Sequence, residues 1–259
     1  MQRVLFHSTI FGPIRSRRLG VSLGINLSPD DGKTCTFDCL YCEAGFNAQG
    51  AGKTGLPPRE KVRNELENRL AAMHDAGEPL DVITFSGNGE PTLHPEFSSI
   101  IDDTIALRDR FYPDAKVSVL CNSTRLDRED VRAALRRVDN AILKLDSALD
   151  STIRLLDRPT LPHFDAATVT GWLKEMGEDG IIQTMMLRGS YEGQSVDNTT
   201  EEEIKALIDA YRLIQPREIM LYSIDRTTPA QELVKVPKEE LTQIGMRIES
   251  ETGIPVKVS

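Results

Sequence analysis

Residues 141–146 read AILKLD, and this hexapeptide bears most directly on the architecture. Side chains alternate faces along a strand, so Leu143 and Leu145 share one face while Lys144 and Asp146 share the other. A strand buried on both faces of a parallel sheet reads as almost continuous Val, Ile and Leu. This one does not. A lysine and an aspartate two residues apart are costly in a dry interior unless they pair or meet a ligand. Residues 80–86, LDVITFS, repeat the pattern, with Thr84 and Ser86 alternating with Ile83 and Phe85. One face packs on helices and the other carries polar groups. That favours a wet, ligand-holding lumen over the second reading, a purely structural ion pair inside a barrel.

Outward from this strand, short β-rich runs alternate with helical patterns. Strands are expected at residues 20–27, 80–86, 116–121, 141–146, 181–187 and 218–224. Helices are expected at 59–76, 96–111, 128–137, before 176, at 201–214 and at 238–252, the first with Val62, Leu66, Leu70 and Met73 on one face. Repeated strand–helix units predict an α/β fold, a partial (β/α)6 TIM-like barrel of parallel strands with outer helices. A doubly wound open sheet is the alternative. Residues 1–259 read as one domain, with 1–19 packing on or before the first barrel strand.

The chain has 259 residues, of which 39% are hydrophobic and 27% charged, ordinary for a globular protein with a sizeable core. No run is long and apolar enough to cross a bilayer, and the N-terminus lacks a signal-peptide pattern. A reducing cytoplasm is the expected compartment. The net charge of −9 argues against binding nucleic acid by bulk charge. Local basic clusters remain at Arg15, Arg17 and Arg18, and at Arg132, Arg136 and Arg137. The second reads as a solvated helix face.

Three of the four cysteines fall in CTFDCLYC, residues 35–42. In a reducing compartment such clusters bind metal or do chemistry. A structural zinc site closes with four ligands. Cys121, at the end of a strand, reads as a packing residue, which leaves His94 to complete a zinc site. Three thiolates on an iron–sulfur cubane instead leave one iron open to a substrate or cofactor. Residues 86–91, SGNGEP, follow a second strand, where glycines allow close approach and Glu90 offers an acceptor.

The spacing of Cys35, Cys39, Tyr41 and Cys42 after a first strand resembles the signature of the radical S-adenosylmethionine (radical SAM) superfamily. Gly87, Asn88, Gly89 and Glu90 resemble that family's Gly-Gly-Glu segment, with Asn88 inserted between the glycines. The resemblance extends from GPIRSRRLG through the last strands, to a bacterial branch related to the tRNA wyosine synthases. Their second cluster has no counterpart here, because Cys121 is the only cysteine left.

The resemblance implies a 4Fe-4S cluster on Cys35, Cys39 and Cys42. S-adenosylmethionine would sit on the fourth iron and be cleaved to a 5′-deoxyadenosyl radical. Tyr41 would lie near the adenine, and Glu90 near the methionyl amino group. Asn122, Ser123, Lys144, Asp146 and Ser147, at strand ends, are candidates for the ribose and carboxylate. Residues 122–124 also read as a plain turn. Lys144 is the candidate catalytic residue, as a Schiff-base amine or, more simply, a carboxylate partner. Tyr222 and Ser223 are further candidates, and His94 either caps a helix or lines the site.

An RNA base or small metabolite would be the substrate, and a flavodoxin- or ferredoxin-like protein the electron donor. Specificity is expected in loops 188–198 and 225–236. A non-catalytic scaffold holding a structural zinc or iron–sulfur site is the competing reading. One decoy remains. Residues 47–55, NAQGAGKTG, end like a phosphate-binding loop, but Asn47 replaces the first glycine and no strand precedes it.

Overall fold

The structure is a computed structural model describing residues 3–16 and 20–259. Arg17 and Arg18 lie outside the described residues. Seven parallel strands form the main sheet: β2 (Gly20–Ile25), β3 (Val82–Phe85), β4 (Lys116–Cys121), β5 (Asn140–Lys144), β6 (Gly180–Tyr191), β8 (Glu218–Ser223) and β10 (Val256–Val258). β1 (Ile10–Ser16) pairs antiparallel with β2. The order is β1-β2-β3-β4-β5-β6-β8-β10, so β1 and β10 are edges and the sheet does not close. The expected partial barrel is correct, with all six anticipated strands parallel and in sequence order.

Helices α1 (Arg59–Asp75), α2 (Phe97–Phe111), α3 (Glu129–Leu135), α4 (Asp150–Leu156), α5 (Ala166–Met176), α6 (Glu201–Ile214) and α7 (Lys238–Thr252) accompany the strands. α1 buries Val62, Leu66, Leu70 and Met73, as its spacing predicts. The helical stretch expected before residue 176 is split into α4 and α5 by a segment holding Pro159 and Pro162. α6 begins well defined. Thr200 accepts a bond from the Glu203 amide, and three glutamates face the positive helix end.

The expected loop 188–198 is instead largely strand, while 225–236 is mostly loop, with strand at Leu233–Lys235. β6 extends past the sheet and pairs antiparallel with β7 (Gln194–Asp197) and β9 (Leu233–Lys235), making a small flap. Gly189 permits this closeness, because a Cβ there would lie 2.0 Å from the Glu232 carbonyl oxygen.

Inside the curve of the sheet, polar and apolar side chains form separate layers. Ser22 Oγ meets Thr84 Oγ1 at 2.8 Å, and Asn140 donates to Ser118 Oγ at 3.0 Å. Ile142, Ile181 and Met220 pack together with Leu120 as an apolar belt. A cavity of about 260 Å³ lies inside, lined among others by Phe6, Arg15, Thr84 and Gln183. The Gln183 Nε2 is buried without a partner. The N-terminal segment walls this cavity. Phe6 stacks on Phe11 with ring centroids 3.8 Å apart, and Phe11 lies against Gly24, whose Cβ would fall 2.1 Å from that ring.

Candidate active site

The loop leaving β2 carries Cys35, Cys39 and Cys42 as free thiols. It is pinned along its length. Asp38 and Leu40 amides donate to Asp157 and Leu156 carbonyls at 2.9 and 3.0 Å, and Thr160 N donates to Thr36 O at 2.8 Å. Cys39 approaches the buried Asp157 carboxyl at 3.5 Å. The Phe37 amide and the Asn122 side-chain amide donate toward Cys35 Sγ at 3.4 and 3.5 Å. Burial, with the Glu90 carboxylate adding to it, pushes the Cys35 thiol up to about 12. Burial likewise raises Cys39, with Asp157 adding to it. As bare thiols both are protonated, so a metal must displace their protons on binding.

Among the described residues, no group of three His, Cys, Asp or Glu side chains is arranged to hold a metal ion. A cubane spreads its thiolates over separate irons and does not call for that arrangement. The donor set suits such a cluster: soft sulfur ligands on one loop, with N–H groups directed at a sulfur. Cys121 is a core residue, 4% exposed, with Ser123 N donating to its sulfur at 3.3 Å.

The glycine segment is zipped to this loop. Thr34 N donates to Asn88 O at 3.1 Å, Glu90 N donates to Thr34 O at 3.0 Å, and Thr34 and Gly89 form a parallel bridge. A Cβ at Gly89 would lie 1.9 Å from Thr34 O, and one at Gly87 would lie 2.4 Å from Asn26 Oδ1. Both glycines are therefore required by protein packing. Asn88 is fully buried and its side chain is committed to the protein. It accepts from Phe6 N at 2.8 Å and donates to Phe6 O and Pro29 O at 2.8 and 2.9 Å. Glu90 Oε1 accepts from Thr92 N and Oγ1, and Oε2 from Asn122 N at 2.7 Å. The Cys121 thiol also bonds this carboxylate, and burial raises the carboxyl above its ordinary value despite these bonds. His94 caps rather than coordinates: its Nδ1 accepts from Glu96 N at 3.1 Å and its Nε2 lies 2.9 Å from Pro57 O.

Lys144 and Asp146 are indeed paired, at 3.3 Å, and the Tyr41 hydroxyl bonds both. Met185 N donates to the other Asp146 oxygen at 2.8 Å. The fully buried Asn198 bridges Asp146 O and Met185 O. Burial pulls the Lys144 ammonium down, but Asp146 and its neighbours more than offset this and hold it well above its ordinary value. A lysine so held is a charged partner, not a free amine ready for Schiff-base formation. Asn122 forms the anticipated turn and also reaches the cysteine loop. Its Oδ1 accepts from Thr124 N and Oγ1 in a turn, while its Nδ2 reaches Thr36 and Cys35. Ser123 holds a left-handed φ of 69° and donates to Lys144 O. Ser147 instead bonds Glu203, and Ser223 bonds Met186 O.

The sequence reading missed Lys33, Asp38 and Asp157. Lys33, two residues before Cys35, is 3% exposed. Only its position beside the cysteines could have signalled it. The second arginine cluster is spent on ion pairs, with Arg132 and Arg136 on Glu129 and Arg137 on Asp102. The phosphate-loop mimic wraps an internal carboxylate: Lys53 N, Thr54 N and Thr54 Oγ1 all donate to Asp31.

The sequence profile described as Radical SAM superfamily matches residues 31–197, spanning the cysteine loop, the glycine segment and the Lys144–Asp146 pair. The chain belongs to the radical SAM superfamily. That family uses a 4Fe-4S cluster and S-adenosylmethionine. A UPF0026 protein of Methanocaldococcus jannaschii is 31% identical over 89% of this chain and 68% of its own length. Among solved structures, a radical SAM methyltransferase from Sphaerobacter thermophilus matches with TM-score 0.64 and 14% identity. The match covers 92% of this chain and 65% of that one. TYW1 with a lysine-pyruvate adduct bound matches with TM-score 0.59 and 13% identity, over 88% of this chain and 73% of that one. At such identity the two structures speak to the fold alone. No described helix is long and apolar enough to cross a membrane.

Proposed function

We propose that this chain is a single-cluster radical SAM enzyme that abstracts hydrogen from a substrate held inside the partial barrel. One observation carries the reading: the three-cysteine loop is bridged through Thr34 to the Gly-Asn-Gly-Glu segment. When bound, the cluster supplies an electron that cleaves S-adenosylmethionine to a 5′-deoxyadenosyl radical.

The chain's own residues hold and orient. Cys35, Cys39 and Cys42 ligate. Glu90 would face the methionyl ammonium, and the Lys144 ammonium would meet the carboxylate. Tyr41, fixed by Lys144 and Asp146, borders the adenosine. Asn122 and Ser123 are candidates for the ribose. Gly87 and Gly89 let this segment pack against Asn26 and Thr34, while Asn88 acts through the N-terminal segment it anchors. The 260 Å³ cavity suits a small metabolite or one splayed RNA base. A flavodoxin- or ferredoxin-like donor would supply electrons, in a reducing cytoplasm suited to three free thiols.

The test is anaerobic reconstitution followed by iron analysis, EPR with and without S-adenosylmethionine, and assay for 5′-deoxyadenosine. A spectral change and nucleoside release, both abolished by Cys39→Ala, support the enzyme. Stoichiometric zinc without nucleoside formation supports the metal-binding scaffold instead.

A further inference from the structure

The cation buried inside the cysteine loop has no part in the reading above. Lys33 Nζ donates to Gly45 O at 2.8 Å and lies 3.5 Å from Asp38 Oδ1. Both partners belong to the same loop, so the ammonium is fixed relative to the cysteines. Its side chain is 1% exposed, so water screens it little.

A buried ammonium normally requires a carboxylate of its own. Lys33 does not have one. Asp38 is shared, because Arg158 lies 3.6 Å from its second oxygen and the Asn47 amide donates to the first at 2.6 Å. Two cations thus divide one carboxylate. Gly45, which takes the Lys33 bond, donates its own amide to Cys42 O at 2.9 Å, and Lys33 stands two residues before Cys35, so the ammonium is tied to both ends of the cysteine run.

We propose that Lys33 tunes the reduction potential of the cluster held by these cysteines, making its reduced state easier to reach. This rests on the cluster reading of the preceding section. Adding an electron to a cluster already ligated by three thiolates increases its negative charge. A fixed cation in a poorly screened interior lowers the cost of that electron. Gly45 and Asp38 hold Lys33 in place, so the effect needs no rearrangement when the electron arrives.

The test is potentiometric titration of the reconstituted protein by EPR, with iron and sulfide counted for each variant. Lys33→Met should lower the reduced-to-oxidised ratio about tenfold at a fixed potential, equivalent to about −59 mV for a one-electron couple. Lys33→Arg, which keeps the charge, should recover most of the shift. Asp38→Asn should move the midpoint the opposite way, because it removes the negative charge beside Lys33. A Lys33→Met protein with full iron and an unmoved midpoint overturns the proposal. Should that variant fail to load iron, an unmoved Asp38→Asn midpoint overturns it equally. A wild-type protein that assembles no EPR-active cluster defeats the cluster reading itself, a result distinct from either.

Discussion

Thr34 and Gly89 lie in register as a two-residue parallel bridge, joined by hydrogen bonds on both sides of Thr34. The cysteine loop and the glycine segment therefore behave as one unit, although Thr34 and Gly89 stand 55 positions apart in the sequence. Gly89→Ala would thrust a Cβ to 1.9 Å from Thr34 O, a backbone atom that cannot swing aside. The expected cost is about 1–3 kcal/mol, as for overpacking elsewhere. Thermal unfolding should report it, and iron uptake should fall as the cysteine loop shifts.

Asn88 brackets Phe6 by bonding its backbone N–H and C=O together. Asn88→Ala removes those bonds and the one to Pro29, at a cost of about 1–3 kcal/mol. Limited proteolysis should then cut within residues 3–16 faster than in the wild type.

Tyr41→Phe and Lys144→Met separate two kinds of contribution at one place. The first keeps the Lys144–Asp146 ion pair and should cost about 1 kcal/mol. The second strands Asp146, whose side chain is fully buried, and should cost about 3–5 kcal/mol. On the proposed function, Lys144→Met also weakens S-adenosylmethionine binding at least tenfold, as calorimetry of the folded fraction would measure. Binding unchanged in Lys144→Met would remove the carboxylate role.

Glu203 gives a pH signature remote from the cysteines. It is 3% exposed and takes hydrogen bonds from Ser147 and Thr152. Burial raises its carboxyl above the ordinary 4.5, despite those bonds. The folded chain therefore holds this proton more tightly than the unfolded chain. Its stabilising contribution is complete below the unfolded value and is lost as pH rises through the folded one. Glu203→Gln, which cannot ionise, should gain stability relative to wild type as pH climbs from 4 to 7. A flat difference across that range would show that Glu203 stays charged at no cost.

Several of these residues were visible in the sequence and others were not, for physical reasons. The six main strands declared themselves through β-rich runs with polar residues on alternate positions, and CTFDCLYC through its spacing. β1 was missed because Gly12 and Pro13 interrupt it, as an edge strand tolerates and an internal strand does not. β7, β9 and β10 have four residues or fewer, too short for a period to emerge. Lys144 and Asp146 were found because their spacing was costly. Lys33, Asp157 and Asn198 were missed because what matters about them is which distant segment they meet, and periodicity carries no such information. The glycines of residues 87–89 were assigned to the cofactor from their type, yet Asn26 and Thr34 already account for them.

The Asp31 carboxylate fills a cradle that a phosphate would otherwise suit. Two backbone N–H groups and one hydroxyl close on it from residues 53 and 54. The GKT run thus closes on the chain's own carboxylate, and its donors are spent in holding the segment after the cysteines against the one before them.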